Sequence, residues 1–302
     1  MKTASISDFL KSNLIFSGNI KMVLIATALL TMGCLVTIQG NSQGPPVYEV
    51  YAIAFTDVQT VDAKWATLRK KPDSLKMCNM VWLIKGNSKN ILLDAGYTLT
   101  DSAFRVNTNG YVRPDVAVQR MKVNPGDITD VIISHPHWDH ISGIDLFPKA
   151  TVWMQKDDYD YFVTTAWQKD GQTFGFHKED VLKMVNVNLQ GRLHLIKGDN
   201  LEIMPGIRVF IGSRHTYESE YVQVTTGKEK IILASDNIWF YYNFNNLLSA
   251  SLTFDTTGYI NQMKRMKTLA SDVKLIIPGH DGQIFTRFPK VADGVVRISG
   301  NK

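Results

Sequence analysis

Six residues in the middle of the chain constrain it more than any others: His135-Pro136-His137-Trp138-Asp139-His140, an H-x-H-x-D-H run directly after the apolar stretch Val131-Ile132-Ile133-Ser134. Three imidazoles and a carboxylate this close together cannot all point one way from a regular strand or helix. A tight loop at a strand end can fan them around two adjacent cations. Neutral imidazole with carboxylate is the donor set that suits zinc and its neighbours. Such a loop needs a rigid frame and further ligands, and three later segments offer them. His215 lies in Ser213-Arg214-His215-Thr216, Asp236 ends the run Ile231-Ile232-Leu233-Ala234-Ser235, and His280 follows Leu275-Ile276-Ile277-Pro278-Gly279. Ligands at strand ends are held still by the sheet while the loops around them stay free to vary.

The remaining pattern is that of a layered α/β domain. Val81–Ile84 and Ile91–Asp94 read as a hairpin turning at Gly86-Asn87, and Tyr221–Thr225 with Ile231–Ala234 as a second one around Gly227-Lys228. Pro114–Met121 and Tyr259–Ala270 have helical spacing, whereas Val131–Ile133 and Lys274–Ile277 are short apolar strands. No repeat or linker divides the chain after Pro46, so residues 41–302 are expected to form a single domain. Lys and Arg outnumber Asp and Glu by 33 to 28. Lys2, Lys11, Lys21 and Asp8 account for part of that excess, and the rest is too weak and dispersed to argue for nucleic acid. The two cysteines, Cys34 and Cys78, form no CxxC pair. Residues 1–40 read as an export signal, with Lys11 and Lys21 ahead of the apolar run Met22–Ile38. Gly33-Cys34 resembles a lipoprotein cleavage site, cleavage after Gly40 is the rival, and an uncleaved anchor helix is the third option. The chain is thus expected to be periplasmic or secreted, meeting a membrane only through the signal or a lipid on Cys34.

From about Val50 to the C-terminus the chain resembles the hydrolases of the metallo-β-lactamase superfamily. The resemblance rests on the 135–140 cluster, Leu93-Asp94-Ala95-Gly96, His215, Asp236 and His280, all in the family's order. It implies a four-layer αβ/βα sandwich with the site at one edge of the two sheets. It further implies that His135, His137 and His215 hold one divalent ion and Asp139, His140 and His280 a second, most simply zinc, with Asp236 bridging both. A bridging aspartate argues against the antibiotic-hydrolysing branch and for the lactone, thioester and phosphoester branches.

Within those branches the chain is most similar to N-acyl-homoserine lactonases, through Ala150–Tyr159, Ser213–Thr216 and the aromatic, asparagine-rich stretch after Asp236. A small acyl lactone would be its partner, opened by attack of a metal-bridging hydroxide while Asp139 carries the proton to the leaving oxygen. These relatives carry a tyrosine three residues after the bridging aspartate; here that position is Trp239, which has no hydroxyl. Tyr241 and Tyr242 are nearby, and Tyr241 is taken as a substrate contact. Trp138 either packs against an acyl chain or wedges its loop in place. Phe174, Phe176, Phe240, Tyr241, Phe244 and Leu247 line an acyl pocket or form core, with core favoured. His177 and His194 read as surface or supporting residues. An organophosphate triesterase or a glyoxalase-like thioester hydrolase on the same centre is the alternative, although Lys290 and Arg297 make only an isolated basic pair for glutathione. An exported protein that binds metal only for folding is the third reading, and a homodimer is left open.

Overall fold

The structure is a computed structural model that describes residues 47–63, 66, 74–99 and 108–299. The expected export segment, with Cys34, lies outside the described residues. In chain order the strands are β1 (Glu49–Ala54), β2 (Gln59–Asp62), β3 (Ser74–Met77), β4 (Met80–Gly86) and β5 (Lys89–Leu93). There follow β6 (Asp130–Ile132), β7 (Thr151–Gln155), β8 (Leu193–Ile196), β9 (Leu201–Met204) and β10 (Ile207–Ile211). Last come β11 (Glu220–Thr226), β12 (Glu229–Ser235), β13 (Ile276–Pro278), β14 (Lys290–Ala292) and β15 (Val295–Ser299). They build an eight-stranded sheet in the order β14-β15-β1-β4-β5-β6-β7-β8 and a five-stranded sheet in the order β13-β12-β11-β10-β9, with β2 and β3 paired separately.

Side-chain alternation along these strands generates the layers. Val50, Ala52 and Ala54 of β1 and Met80, Trp82 and Ile84 of β4 turn to the seam between the two sheets. They meet Val222 and Val224 of β11 and Ile231 and Leu233 of β12 there. The intervening residues, Tyr51, Ile53, Val81 and Leu83, turn outward to pack with Val118, Phe162, Met184 and Val187 from the helices Pro114–Gln119, Lys156–Val163 and Lys178–Leu189. On the far side Tyr221, Ile232 and Ala234 pack against Tyr259, Met263 and Met266 of the helix Thr256–Leu269. Three apolar seams therefore separate four layers, α, β, β, α, as expected.

Two local readings change. The β4–β5 hairpin turns at Asn87-Ser88, both with positive φ (51° and 58°), not at Gly86-Asn87. A two-residue turn of that handedness matches the twist of the strands it joins. Residues Val273–Leu275 form a single 3-10 turn and the strand begins only at Ile276. There Asp272 accepts from the Lys274 backbone N–H and draws the chain into the turn.

The topology sets the site. β5, β6 and β7 run parallel and adjacent in the larger sheet, and β12 and β13 run parallel in the smaller. The C-terminal ends of β5, β6, β12 and β13 lead into Asp94, His135, Asp236 and His280.

Candidate metal centre

The seven side chains expected to bind metal come together in two groups. His135, His137, His215 and Asp236 offer one set of ligand atoms and Asp139, His140 and His280 the other, and within each set the atoms lie within 4.8 Å of one another. All are buried except Asp139, which is part-exposed. In the first group His137 Nδ1 lies 3.1 Å from His135 Nε2 and 2.9 Å from His215 Nε2. Asp236 faces both groups: its Oδ2 lies 3.2 Å from His215 Nε2, and its Oδ1 lies 3.3 Å from His140 Nε2 and 3.0 Å from His280 Nε2. Asp139 Oδ2 closes the second group at 3.6 Å from both His140 and His280.

Hydrogen bonds behind the ligands select which imidazole nitrogen faces inward. His140 Nδ1 donates to Asp94 Oδ2 at 2.8 Å, and His215 Nδ1 donates to the Leu252 carbonyl at 2.7 Å. His135 is oriented through two hydroxyls. Ser235 Oγ donates to Asp94 Oδ2, so it accepts from Ser134 Oγ, which in turn accepts from His135 Nδ1, each at 2.8 Å. Asp94 thereby leaves the Nε2 lone pairs of both His135 and His140 free for a cation. Its Oδ1 also accepts from the Ser134 backbone N–H at 2.9 Å.

The frame around these groups is strained and tight. Asp94, Arg214 and Ser235 have positive φ (63°, 54° and 44°), and each is a site residue or immediately precedes one. Asn237 ties the His215 loop to the end of β12: its Oδ1 accepts from Ser213 N at 2.6 Å, Ser213 Oγ at 2.9 Å and Ser219 Oγ at 3.0 Å. Two glycines touch ligands where a Cβ could not fit. One added at Gly279 would lie 2.7 Å from Asp236 Oδ1, and one at Gly175, where φ is +76°, 2.6 Å from the His137 ring. Behind the His215 loop, burial pushes the Asp158 carboxyl up to about 7, although Thr216 Oγ1 (2.5 Å) and Glu218 N (3.2 Å) donate to it.

The donor set fits two divalent cations. Burial, then the neighbouring imidazoles, holds His135 and His137 well below the usual histidine range, the neutral state a metal requires. Burial disfavours charge on Asp236, but His280 and His140 outweigh it and hold the carboxyl well below its usual range. His140 Nε2 and Asp236 Oδ1 are buried without a hydrogen-bond partner. Leaving both so would cost about 1–3 kcal/mol each, and a shared cation satisfies both.

Two cavities reach this floor. One, of about 320 Å³, is walled by Met77, Asn79, Trp138, Phe174, Trp239 and Leu252 beside Asp139, Asp236 and His280. The other, of about 370 Å³, runs past Gln172, Phe176, Thr216 and Phe254 to His137 and His215. Trp138 lines the first cavity while stacking on His177 (6.0 Å) and packing against Tyr97 (4.8 Å). Phe174 and Phe176 line cavities, whereas Phe240, Phe244 and Leu247 pack in the outer seam. Tyr241 is a correction: it is buried in the seam between the sheets, its ring beneath the Arg287 guanidinium, and lines neither cavity. His177 is buried beside Asp180 (3.9 Å), and His194 is exposed against Trp153. Asn79, Ser251, Leu252, Gly175 and Asn237 carry no motif, and only their neighbours in space reveal them.

Residues 78–280 match the family model of the metallo-beta-lactamase superfamily. The chain belongs to that superfamily. It is similar to an N-acyl homoserine lactonase of Bacillus sp, 27% identical over 169 residues that make up 54% of this chain and 60% of the relative. An N-acyl homoserine lactonase AttM of Azorhizobium caulinodans is 21% identical over 180 residues, 57% of this chain and 65% of that protein. The chain thus spans less than two thirds of these curated relatives. Among solved structures, a mutant of B. thuringiensis AiiA with N-decanoyl-L-homoserine bound at its active site superposes with TM-score 0.62 at 21% identity, covering 80% of this chain and 96% of that one. AidC, described as a dizinc quorum-quenching lactonase in complex with a product, gives TM-score 0.61 at 17% identity over 84% and 95% of the two chains. These neighbours share the fold.

Proposed function

We propose that the protein is a dinuclear zinc hydrolase that opens the lactone ring of N-acyl-homoserine lactones. The observation that carries this reading is a polar floor, shared by two groups of ligands through Asp236, beneath a cavity walled by Met77, Trp138, Phe174, Trp239 and Leu252. That combination suits a polar ring with a fatty tail. The lactonases among its relatives support the same substrate class.

His135, His137 and His215 would hold one ion, Asp139, His140 and His280 the other, and Asp236 would join them. When bound, two such ions supply a water nucleophile at neutral pH and polarise the carbonyl. The chain's own residues do the rest. Asp139, part-exposed at the cavity wall, would carry a proton to the leaving ring oxygen. Trp138 and Phe174 exclude water and hold the acyl chain, and the Trp239 indole stands in the same wall. The cavities give a small molecule access to the floor, which a purely structural metal site would close off. The glutathione-thioester alternative gains nothing from Lys290 and Arg297, which pair with Asp293 and Glu49.

Ring opening yields a carboxylic acid that ionises, so zinc-loaded protein in a pH-stat should release one proton per molecule of N-decanoyl-homoserine lactone consumed. Asp236→Asn and His135→Ala should each lower kcat/KM by about a thousandfold or more, with the circular dichroism spectrum unchanged. Phosphotriester turnover without lactone turnover would move the reading to the other ester class. A metal-laden protein inert towards every ester would leave only a structural centre. We also propose export through residues 1–40, read from sequence alone; the mass of the mature N-terminus tests it, and an intact Met1 in the exported fraction would refute cleavage.

A further inference from the structure

Asn79 sits in the wall of the 320 Å³ cavity, among the same lining residues as Asp139, Trp239 and His280. Its backbone is clamped on both sides. The N–H donates to Thr56 Oγ1 at 3.0 Å, and the carbonyl accepts from Phe55 N at 3.0 Å. One residue earlier, Cys78 N donates to the His280 carbonyl at 2.9 Å, fixing this segment against the second group of ligands. The side chain is 2% exposed. Its Nδ2 donates to the Tyr97 hydroxyl at 3.4 Å, whereas its Oδ1 is buried with no hydrogen-bond partner.

A buried carbonyl oxygen left unmatched costs stability, and native folds keep few such groups. The surrounding wall makes this one specific. Apart from the metal-site residues, the lining side chains offer apolar surface from Met77, Phe174 and Leu252, indole N–H groups from Trp138 and Trp239, and a hydroxyl from Ser251. Asn79 supplies the single carboxamide acceptor among the described residues of this wall. Resting on the lactonase reading above, we infer that Asn79 Oδ1 recognises the acylamino N–H next to the lactone carbonyl. Asn79 is therefore the residue that separates N-acylamino lactones from plain alkyl lactones. Both carry the scissile ester and an apolar tail, but only the acylamino lactone has an amide, and with it an N–H donor, on the carbon next to the ester carbonyl. A site built to accept from a substrate donor rejects the analogue lacking it, because the buried acceptor is then stranded. Tyr97 acts through Asn79 as a positioning residue, its ring held by Tyr111 (5.4 Å), Phe55 (5.2 Å) and Trp138 (4.8 Å).

The test compares wild type, Asn79→Leu and Tyr97→Phe on N-decanoyl-homoserine lactone and on a γ-alkyl lactone of matched length, with metal content and melting temperature as controls for folding. Wild type should prefer the acylamino lactone by about tenfold or more. Asn79→Leu should lose roughly tenfold to a hundredfold in kcat/KM on that substrate and less than about threefold on the alkyl lactone. Tyr97→Phe should shift selectivity the same way by a smaller factor, chiefly through KM, and it carries the test alone if Asn79→Leu does not fold. Equal losses on both substrates, or no loss on the acylamino lactone, overturn the inference while leaving the lactonase reading intact. A wild type that opens neither lactone overturns that reading, and the inference with it.

Discussion

At the scale of single residues, Asp94 does more than any group that would touch a metal. One carboxylate oxygen takes the His140 Nδ1 proton directly and, through Ser235 and Ser134, sets the direction of the hydrogen bond to His135. One side chain therefore orients a histidine of each group. Asn tolerates the left-handed backbone found at position 94, so Asp94→Asn changes the acceptor with little change in backbone strain. The amide can no longer accept from both His140 and Ser235 through a charged oxygen while accepting from Ser134. We expect metal affinity to fall about tenfold to a hundredfold, measured by competition with a chromogenic chelator, with zinc lost from both sites. Loss confined to the His140 site would show that the serine relay does not orient His135. The seven side chains that gather here were legible in the sequence because histidine is rare, seven residues in the chain, so the spacing of the imidazoles carries information. Asp94 was legible only through its resemblance to the family's structural aspartate, since a lone aspartate after a strand is most often an ordinary turn residue.

At the scale of elements, the ligand-bearing strands could be read from continuous apolar runs such as Val131–Ile133 and Ile231–Ala234, whereas β1, β9, β10 and β15 and the packing of the loops could not. Residues 239–244 show why. Trp-Phe-Tyr-Tyr-Asn-Phe has no polar face to give a period, so sequence could not tell that the helix Tyr241–Asn246 turns Tyr241 into the inter-sheet seam and away from the cavities. Glycines at loop contacts are equally silent until their neighbours are known. Gly279 is an example: its backbone N–H donates to Ile238 O, and an added Cβ would press on Asp236 Oδ1 and the Ser235 carbonyl at 2.7 Å. Gly279→Ala should therefore push the shared carboxylate aside and lower kcat/KM by about a hundredfold or more, with secondary structure retained by circular dichroism; activity within twofold of wild type would show that the loop yields freely. The helix Lys156–Val163 makes a different contact, reaching from Asp158 to Thr216 beside His215. Burial raises the Asp158 pKa from 3.8 to about 7, so the folded state holds its proton more tightly than the unfolded chain. The stability this contributes is complete below about pH 4 and is lost as the pH climbs through 7. Asp158→Asn stays neutral throughout, so the unfolding free energy of the variant relative to wild type, read from urea titrations, should rise across that window by roughly a few kcal/mol in all and level off above it. Glu220, held well above its usual range by burial and in part by the Asp158 charge, is present in both proteins but feels that charge only in the wild type. A difference that stays constant from pH 4 to 8 would place the titration elsewhere.

At the scale of the whole molecule, the two groups of ligands span both sheets. His135, His137, Asp139 and His140 follow β6 of the larger sheet, whereas His215, Asp236 and His280 belong to connections of the smaller one. The first group draws His215 and Asp236 across to His135 and His137, and the second draws His280 across to Asp139 and His140. Each ion would therefore fasten one sheet to the other at the edge where the apolar seam gives way to polar loops. An ion present at a hundred times its dissociation constant, and bound only by the folded state, stabilises the fold by about 2.7 kcal/mol. In a chain of 302 residues that corresponds to roughly 4–5 °C in melting temperature for each ion. Scanning calorimetry of zinc-loaded and chelator-stripped protein should show a downward shift of that order, restored by zinc in two steps as the sites refill. The shift should also shrink as the pH falls, because protons then compete for His140 and His280, where Asp139 and Asp236 outweigh burial and hold the imidazoles above the usual histidine range. If stripping both ions, verified by elemental analysis, leaves the melting temperature unchanged, the ions do not fasten the sheets, and the seam of Val50, Trp82, Val222 and Leu233 holds them together without metal.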